Sequence, residues 1–121
     1  REVLVALRFL DSEGAHKLWA QLAMRHTGKD RWYLEALGIG ADLHWEGRFA
    51  AWIKLAGNNW NTQGGRDIIW RSRSKKAPAY LADILLDENT TEEEQPRYLR
   101  AFDYHSGPEK DAALEKILLG M

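Results

Sequence analysis

Leu4-Val5-Ala6-Leu7-Arg8-Phe9, Leu34-Glu35-Ala36-Leu37-Gly38-Ile39 and Leu99-Arg100-Ala101-Phe102-Asp103-Tyr104 share one form, Leu-x-Ala-apolar-x-apolar. A weaker copy, Ile69-Trp70-Arg71-Ser72-Arg73-Ser74, keeps Arg66, Asp67 and Ile68 upstream, as Arg1, Glu2 and Val3 precede the first. The aligned residues Ala6, Ala36, Arg71 and Ala101 fall 30, 35 and 30 residues apart. Helical solenoids repeat at ~30–47 residues. A small residue at the aligned position lets two helices approach at the short end of the usual ~8–10 Å spacing. Arg71 departs from that rule. Either the third copy is irregular or an arginine has a job there.

A second amphipathic helix follows each copy. Leu18, Trp19 and Leu22 share a helical face, as do Phe49, Trp52 and Ile53. So do Tyr80, Leu81, Ile84 and Leu85, and Leu114, Ile117 and Leu118. These are i, i+3 and i+4 spacings. Ser12 and Asp30 read as N-caps, and Ser106-Gly107-Pro108-Glu109 and Thr91-Glu92-Glu93-Glu94 as capping boxes. Pro96 would kink a helix begun at Thr91, which moves the start toward Gln95. Gly28, Gly57 and Gly120 fall where helices should stop. No run alternates as a half-buried strand does.

The expected fold is therefore all-α, an α-α superhelix of HEAT-like repeats in a single domain spanning 1–121. Four antiparallel pairs are predicted: 1–10 with 13–26, 30–40 with 43–56, 65–73 with 76–87, and 91–104 with 107–119. Leu4, Leu34, Ile69 and Leu99 should occupy equivalent buried positions, with Ala36 and Ala101 at close helix contacts. The polar run from Gly57 to Gly65 reads as a loop or a short irregular helix.

Composition bounds the function. Apolar residues make up 45% and charged residues 29% of the chain, a balance that argues against disorder. The formal charge of -1 gives no whole-domain attraction to nucleic acid or anionic membranes. No stretch approaches the ~20 apolar residues of a membrane span. The absence of cysteine leaves no disulfide, no thiolate-held metal and no thioether-linked haem within these residues. Six tryptophans read mainly as fillers between helices. The chain opens without Met, and apolar residues crowd both ends, so it is expected to be a fragment of a longer protein.

The segments Asp30-Arg31-Trp32-Tyr33-Leu34-Glu35-Ala36-Leu37-Gly38, Gly65-Arg66-Asp67-Ile68-Ile69-Trp70-Arg71-Ser72-Arg73 and Ala101-Phe102-Asp103-Tyr104-His105 carry a family resemblance. They resemble the helical-repeat region of large planctomycete and verrucomicrobial membrane-bound dehydrogenases with a haem-binding domain. In that family a sugar-dehydrogenase-like propeller precedes HEAT-like repeats, and a c-type cytochrome domain follows. The resemblance spans most of the chain. It implies a periplasmic or envelope parent that moves electrons. No Cys-x-x-Cys-His occurs here, so haem c would lie elsewhere in the parent.

Candidate chemistry is sparse. His16, His26, His44 and His105 lack metal-ligand spacing and read as solvated or capping residues. Gly38-Ile39-Gly40 lacks the third glycine of a dinucleotide site and reads as a helix end. The one basic cluster is Arg66, Arg71, Arg73, Lys75 and Lys76 around Trp70. It could bind phosphates or single strands, yet the acidic run 87–94 nearly balances it. Arg66 and Asp67 are adjacent, so any ion pair should join different helices. Asn58, Asn59, Trp60, Asn61 and Gln63 could hold a sugar, or simply make turns.

The sequence thus points to a non-catalytic scaffold or interaction module. Its candidate surface is Trp60, Arg66, Trp70, Arg71 and Arg73, with no cofactor or metal in the segment. Its partners would be other domains of the same chain or another protein. One alternative is a helical-repeat nucleic-acid-binding protein or DNA glycosylase, with Asp67 beside Trp70, which the charge balance disfavours. The other is a carbohydrate-binding module built on Trp60.

Overall fold

The computed structural model describes residues 2–120, and among them all regular structure is helical. α1 (Glu2–Ala6) runs into a 3-10 turn, Leu7–Phe9. There follow α2 (Glu13–Ala23), α3 (Arg31–Ala41), α4 (Trp45–Ala56) with a 3-10 turn at Gly57–Asn59, and α5 (Gln63–Arg71). α6 (Ala77–Leu86), α7 (Gln95–Ala101) with a 3-10 turn at Phe102–Tyr104, and α8 (Pro108–Gly120) complete the order. The backbone divides into two compact units, Arg1–Ser72 and Arg73–Met121.

The caps place the helices. The Ser12 hydroxyl accepts from the Ala15 N–H at 3.2 Å and the Asp30 carboxylate from that of Tyr33 at 3.1 Å. Thr62 caps α5 through the Gly65 N–H at 3.0 Å. Thr91 and Glu94 form the reciprocal box, with the Thr91 N–H donating to Glu94 at 3.1 Å and the Glu94 N–H to Thr91 at 3.3 Å. That box closes a turn, and the α-helix begins only at Gln95, with Pro96 in its first turn where no N–H is missed. The box expected at Ser106 does not form: α8 starts at Pro108 behind a left-handed Gly107.

In the first unit α1 packs on α3 and α3 on α5, while α2 packs on α4. Leu4, Leu7, Leu34, Leu37, Ile68 and Ile69 are buried on the first set, and Trp19, Phe49 and Trp52 on the second. The closest approaches use glycine. A β-carbon at Gly40 would collide with the Leu4 carbonyl, and one at Gly38 with the Arg71 guanidinium. These two glycines, expected to end a helix, lie inside its last turns and are where neighbouring elements touch α3. Ala36 is buried, but Ala6 is exposed. α1 turns Leu4 and Leu7 inward, i and i+3, and Ala6 falls off that face.

In the second unit α6 packs on α8 and on α7. Leu81, Ile84, Tyr98, Ala101, Phe102 and Ile117 are buried. Here the expected register fails. Leu99 is 46% exposed, because the inward face of α7 is Tyr98, Ala101 and Phe102, and one residue is a 100° rotation. Likewise α8 buries Ala113 and Ile117 and exposes Leu118. In α2 the buried face is Ala15, His16, Trp19, Ala20 and Ala23, leaving Leu18 exposed.

The first and last copies nevertheless end alike. The Leu10 N–H returns to the Leu7 carbonyl at 2.9 Å, and the aligned His105 N–H to that of Phe102 at 3.0 Å. Each closes a 3-10 turn shortly before the next helix.

Candidate functional site

Of the five residues expected on one surface, four lie in the first unit and Arg73 opens the second. Arg66 is buried, and its Nε donates to Asn61 Oδ1 at 2.7 Å. Trp60, Trp70 and Arg71 are half-buried, with the Arg71 guanidinium lying against Gly38 of α3. Arg73 stacks 3.9 Å from the Tyr104 ring centroid, both within the second unit. Each of these three arginines is thus placed against its own chain.

Asp67 is also buried. Its carboxylate receives His26 Nε2 at 3.0 Å and the Gln63 amide at 3.1 Å. Its His26 partner comes from the connection after α2. The carbonyl accepting from the Thr62 N–H is that of Trp60, at 2.9 Å. Asn61 of the loop and Gln63 at the start of α5 therefore serve Arg66 and Asp67. The Gly64-Gly65 pair lies in the first turn of α5 rather than in the loop, and β-carbons there would meet the His26 and Trp60 carbonyls.

The most developed polar assembly is elsewhere and was missed. Arg48 on α4 is fully buried. Its guanidinium donates to the Leu7 and Leu10 carbonyls, each at 2.7 Å, to the Gly40 carbonyl at 3.4 Å, and to His16 Nδ1 at 2.6 Å. It therefore closes the 3-10 turn after α1 from across the unit. A guanidinium only donates, so His16 Nδ1 must accept and Nε2 carries the hydrogen. Nε2 lies 3.4 Å from the Asp11 carboxylate. Burial, and next the Arg48 charge, hold the His16 pKa below its ordinary value. Burial also lowers that of Arg48, which keeps its proton nonetheless. His44 donates from Nε2 to the Arg8 carbonyl at 2.8 Å. The α1–α2 and α3–α4 connections are thus tied by polar contacts.

Histidines expected to be solvated are structural. His16 and His26 are buried, and His26 stacks on Tyr33 at 6.0 Å. Tyr33 donates its hydroxyl to the Leu22 carbonyl at 2.6 Å, and burial raises its pKa. Nδ1 of His26 has no hydrogen-bond partner among the described residues. No group of three or more His, Asp or Glu among the described residues is arranged to hold a metal ion. No helix among them is long and apolar enough to cross a membrane.

Comparison with protein-family models, with curated proteins and with solved structures returns no match.

Proposed function

We propose that this chain is a non-catalytic helical-repeat scaffold, its helix pairs forming a HEAT-like α-α superhelix. The supporting observation is the use made of its ionisable groups. Arg48, Arg66, His26 and Asp67 are each buried and bonded to neighbouring elements, where they brace turns. The packing of α1 on α3 on α5, and of α2 on α4, is the side-by-side order that stacked helix pairs adopt. By the family resemblance, the scaffold belongs to a larger envelope redox protein whose haem c is attached outside these residues.

The purified chain is expected to oxidise no sugar in the presence of an artificial electron acceptor. It is expected to excise no base from DNA, and to take up neither haem nor metal. Base excision that disappears with Asp67→Asn would overturn the reading in favour of a glycosylase. Haem staining of the parent protein on a denaturing gel tests the redox context. A parent without covalent haem would remove that part.

A further inference from the structure

Along the first unit, α2 and α4 leave a surface groove of about 500 Å³ between them. Its floor is small: Ala20 of α2 with Gly47, Ala50 and Ala51 of α4. Gly47 has an internal reason to be bare, since a β-carbon there would strike the His16 ring. Ala50 is exposed and Ala51 half-buried, so the hollow beside them lies open to solvent. Lys17 stands on the α2 wall and Lys54 on the α4 wall. Neither ammonium forms an ion pair or hydrogen bond among the described residues, whereas Lys116 of the second unit holds Asp83 at 2.6 Å. Leu55, beside Lys54, is 52% exposed.

We infer that this groove docks an α-helical segment of a protein partner that presents an apolar side chain flanked by acidic ones. The inference rests on the scaffold reading and names its surface. A floor of alanine and glycine accepts a bulky apolar side chain, which gains by leaving water. Two unpaired lysines against the single Glu13 favour an acidic guest, and charge complementarity of this kind selects partners. The eleven residues of α2 span roughly 16 Å, about three turns of a docked helix. The lining offers no aromatic ring on which a base could stack, and Glu13 would repel phosphate.

The test uses the whole chain and two fluorescein-labelled synthetic helices of about 15 residues. Both carry leucines at i, i+3 and i+4. One is flanked by glutamates and the other by lysines. Anisotropy titrations should show the acidic helix binding at least about tenfold tighter, and more weakly as salt rises. Lys17→Glu with Lys54→Glu should reverse that preference. Ala50→Phe, at an exposed position, should fill the groove and weaken the acidic helix. Circular dichroism and the unfolding midpoint verify that both variants fold. No binding of the acidic helix, no preference between the two, or indifference to both variants overturns the inference. Amide-shift changes confined to residues outside α2 and α4 would overturn the groove and leave an interaction module in place. Catalytic turnover by the chain would instead sink the scaffold reading.

Discussion

Replacing Arg48 with methionine isolates what a buried guanidinium does in this fold. Methionine keeps much of the length and fills the same channel, so packing changes little. What goes is the donor set to the Leu7, Leu10 and Gly40 carbonyls and to His16 Nδ1. The Gly40 bond, at 3.4 Å, is long enough to ignore. Leu10 is half exposed, so water can replace the bond to its carbonyl. The Leu7 carbonyl loses a charged donor but keeps the Leu10 N–H, whereas Nδ1 of the buried His16 is left an unsatisfied acceptor, which costs about 1–3 kcal/mol. Against this stands the guanidinium's own desolvation, several kcal/mol, which the variant no longer bears. The groups left behind are neutral acceptors and no charge stays buried, so the relief offsets part of the loss. The expected net loss is about 1–3 kcal/mol.

Urea unfolding followed by tryptophan emission reads this directly, because all six tryptophans lie within residues 1–72. A loss of that size moves the midpoint by roughly 1 M. Adding His16→Leu should cost less than the sum of the two single changes, since each removes the other's partner. An unchanged or raised midpoint for Arg48→Met would refute the reasoning. It would mean that desolvation cancels the bonds and that the first unit holds without its brace.

The other predictions are smaller. The His16 pKa is lowered in the folded chain by burial and then by Arg48. The unfolded chain therefore binds more protons just below pH 6.5, and stability, full above that value, falls as pH drops through the lowered folded value. His16→Gln should flatten this part of the stability–pH curve, and an identical slope in the variant would assign the effect to another group. Ala36→Leu and Ala101→Leu should overpack buried contacts by about 1–3 kcal/mol, while Ala6→Leu stays within about 0.5 kcal/mol. Equal urea midpoints for all three would erase the distinction. Gly64→Ala should destabilise, although alanine gains ~1 kcal/mol over glycine in an open helix, because its β-carbon meets the His26 carbonyl. A raised melting temperature would contradict that contact. Leu43, with φ at 69° and 84% exposure, should give way to Asn with a gain of up to about 1 kcal/mol. A loss on thermal melting would show that its side chain holds something.

The helices were legible because their ends carry local chemistry. Ser12, Asp30 and Pro96 mark starts through hydrogen bonds reaching at most three residues or through a missing N–H, and sequence neighbours suffice to see them. Register within a helix was less legible. Leu99 and Tyr98 are both large and apolar, and the repeat alignment favours Leu99. Which one turns inward depends on where α7 begins and on what α6 presents to it, and neither is encoded in the six-residue motif. Small residues misled for the same reason. Alanine recurs at the aligned position, yet the neighbours of α3 touch it at Gly38 and Gly40. Whether a small side chain sits at a seam is decided by the partner across it.

The buried polar assembly does leave a signal in the sequence. Trp45, Arg48, Phe49, Trp52 and Ala56 are spaced by three, one, three and four residues, so Arg48 occupies a core position on the apolar face of α4. His16 does the same between Ala15 and Trp19 on α2. A charged residue on an apolar stripe must find partners or leave. Two such residues on α2 and α4 are placed to find each other, because those helices pack side by side. The basic residues singled out instead, Arg66, Arg71 and Arg73, stand out by density along the chain. Density carries no information about which side of a helix a charge faces. Arg66 lies one turn before the buried Ile69 on α5, while Lys17 and Lys54, isolated in sequence, line one groove. In this all-helical fold, then, the residues to weigh first are polar ones in register with the apolar stripe, and next the pairs that fall on helices packed side by side, as on α2 and α4.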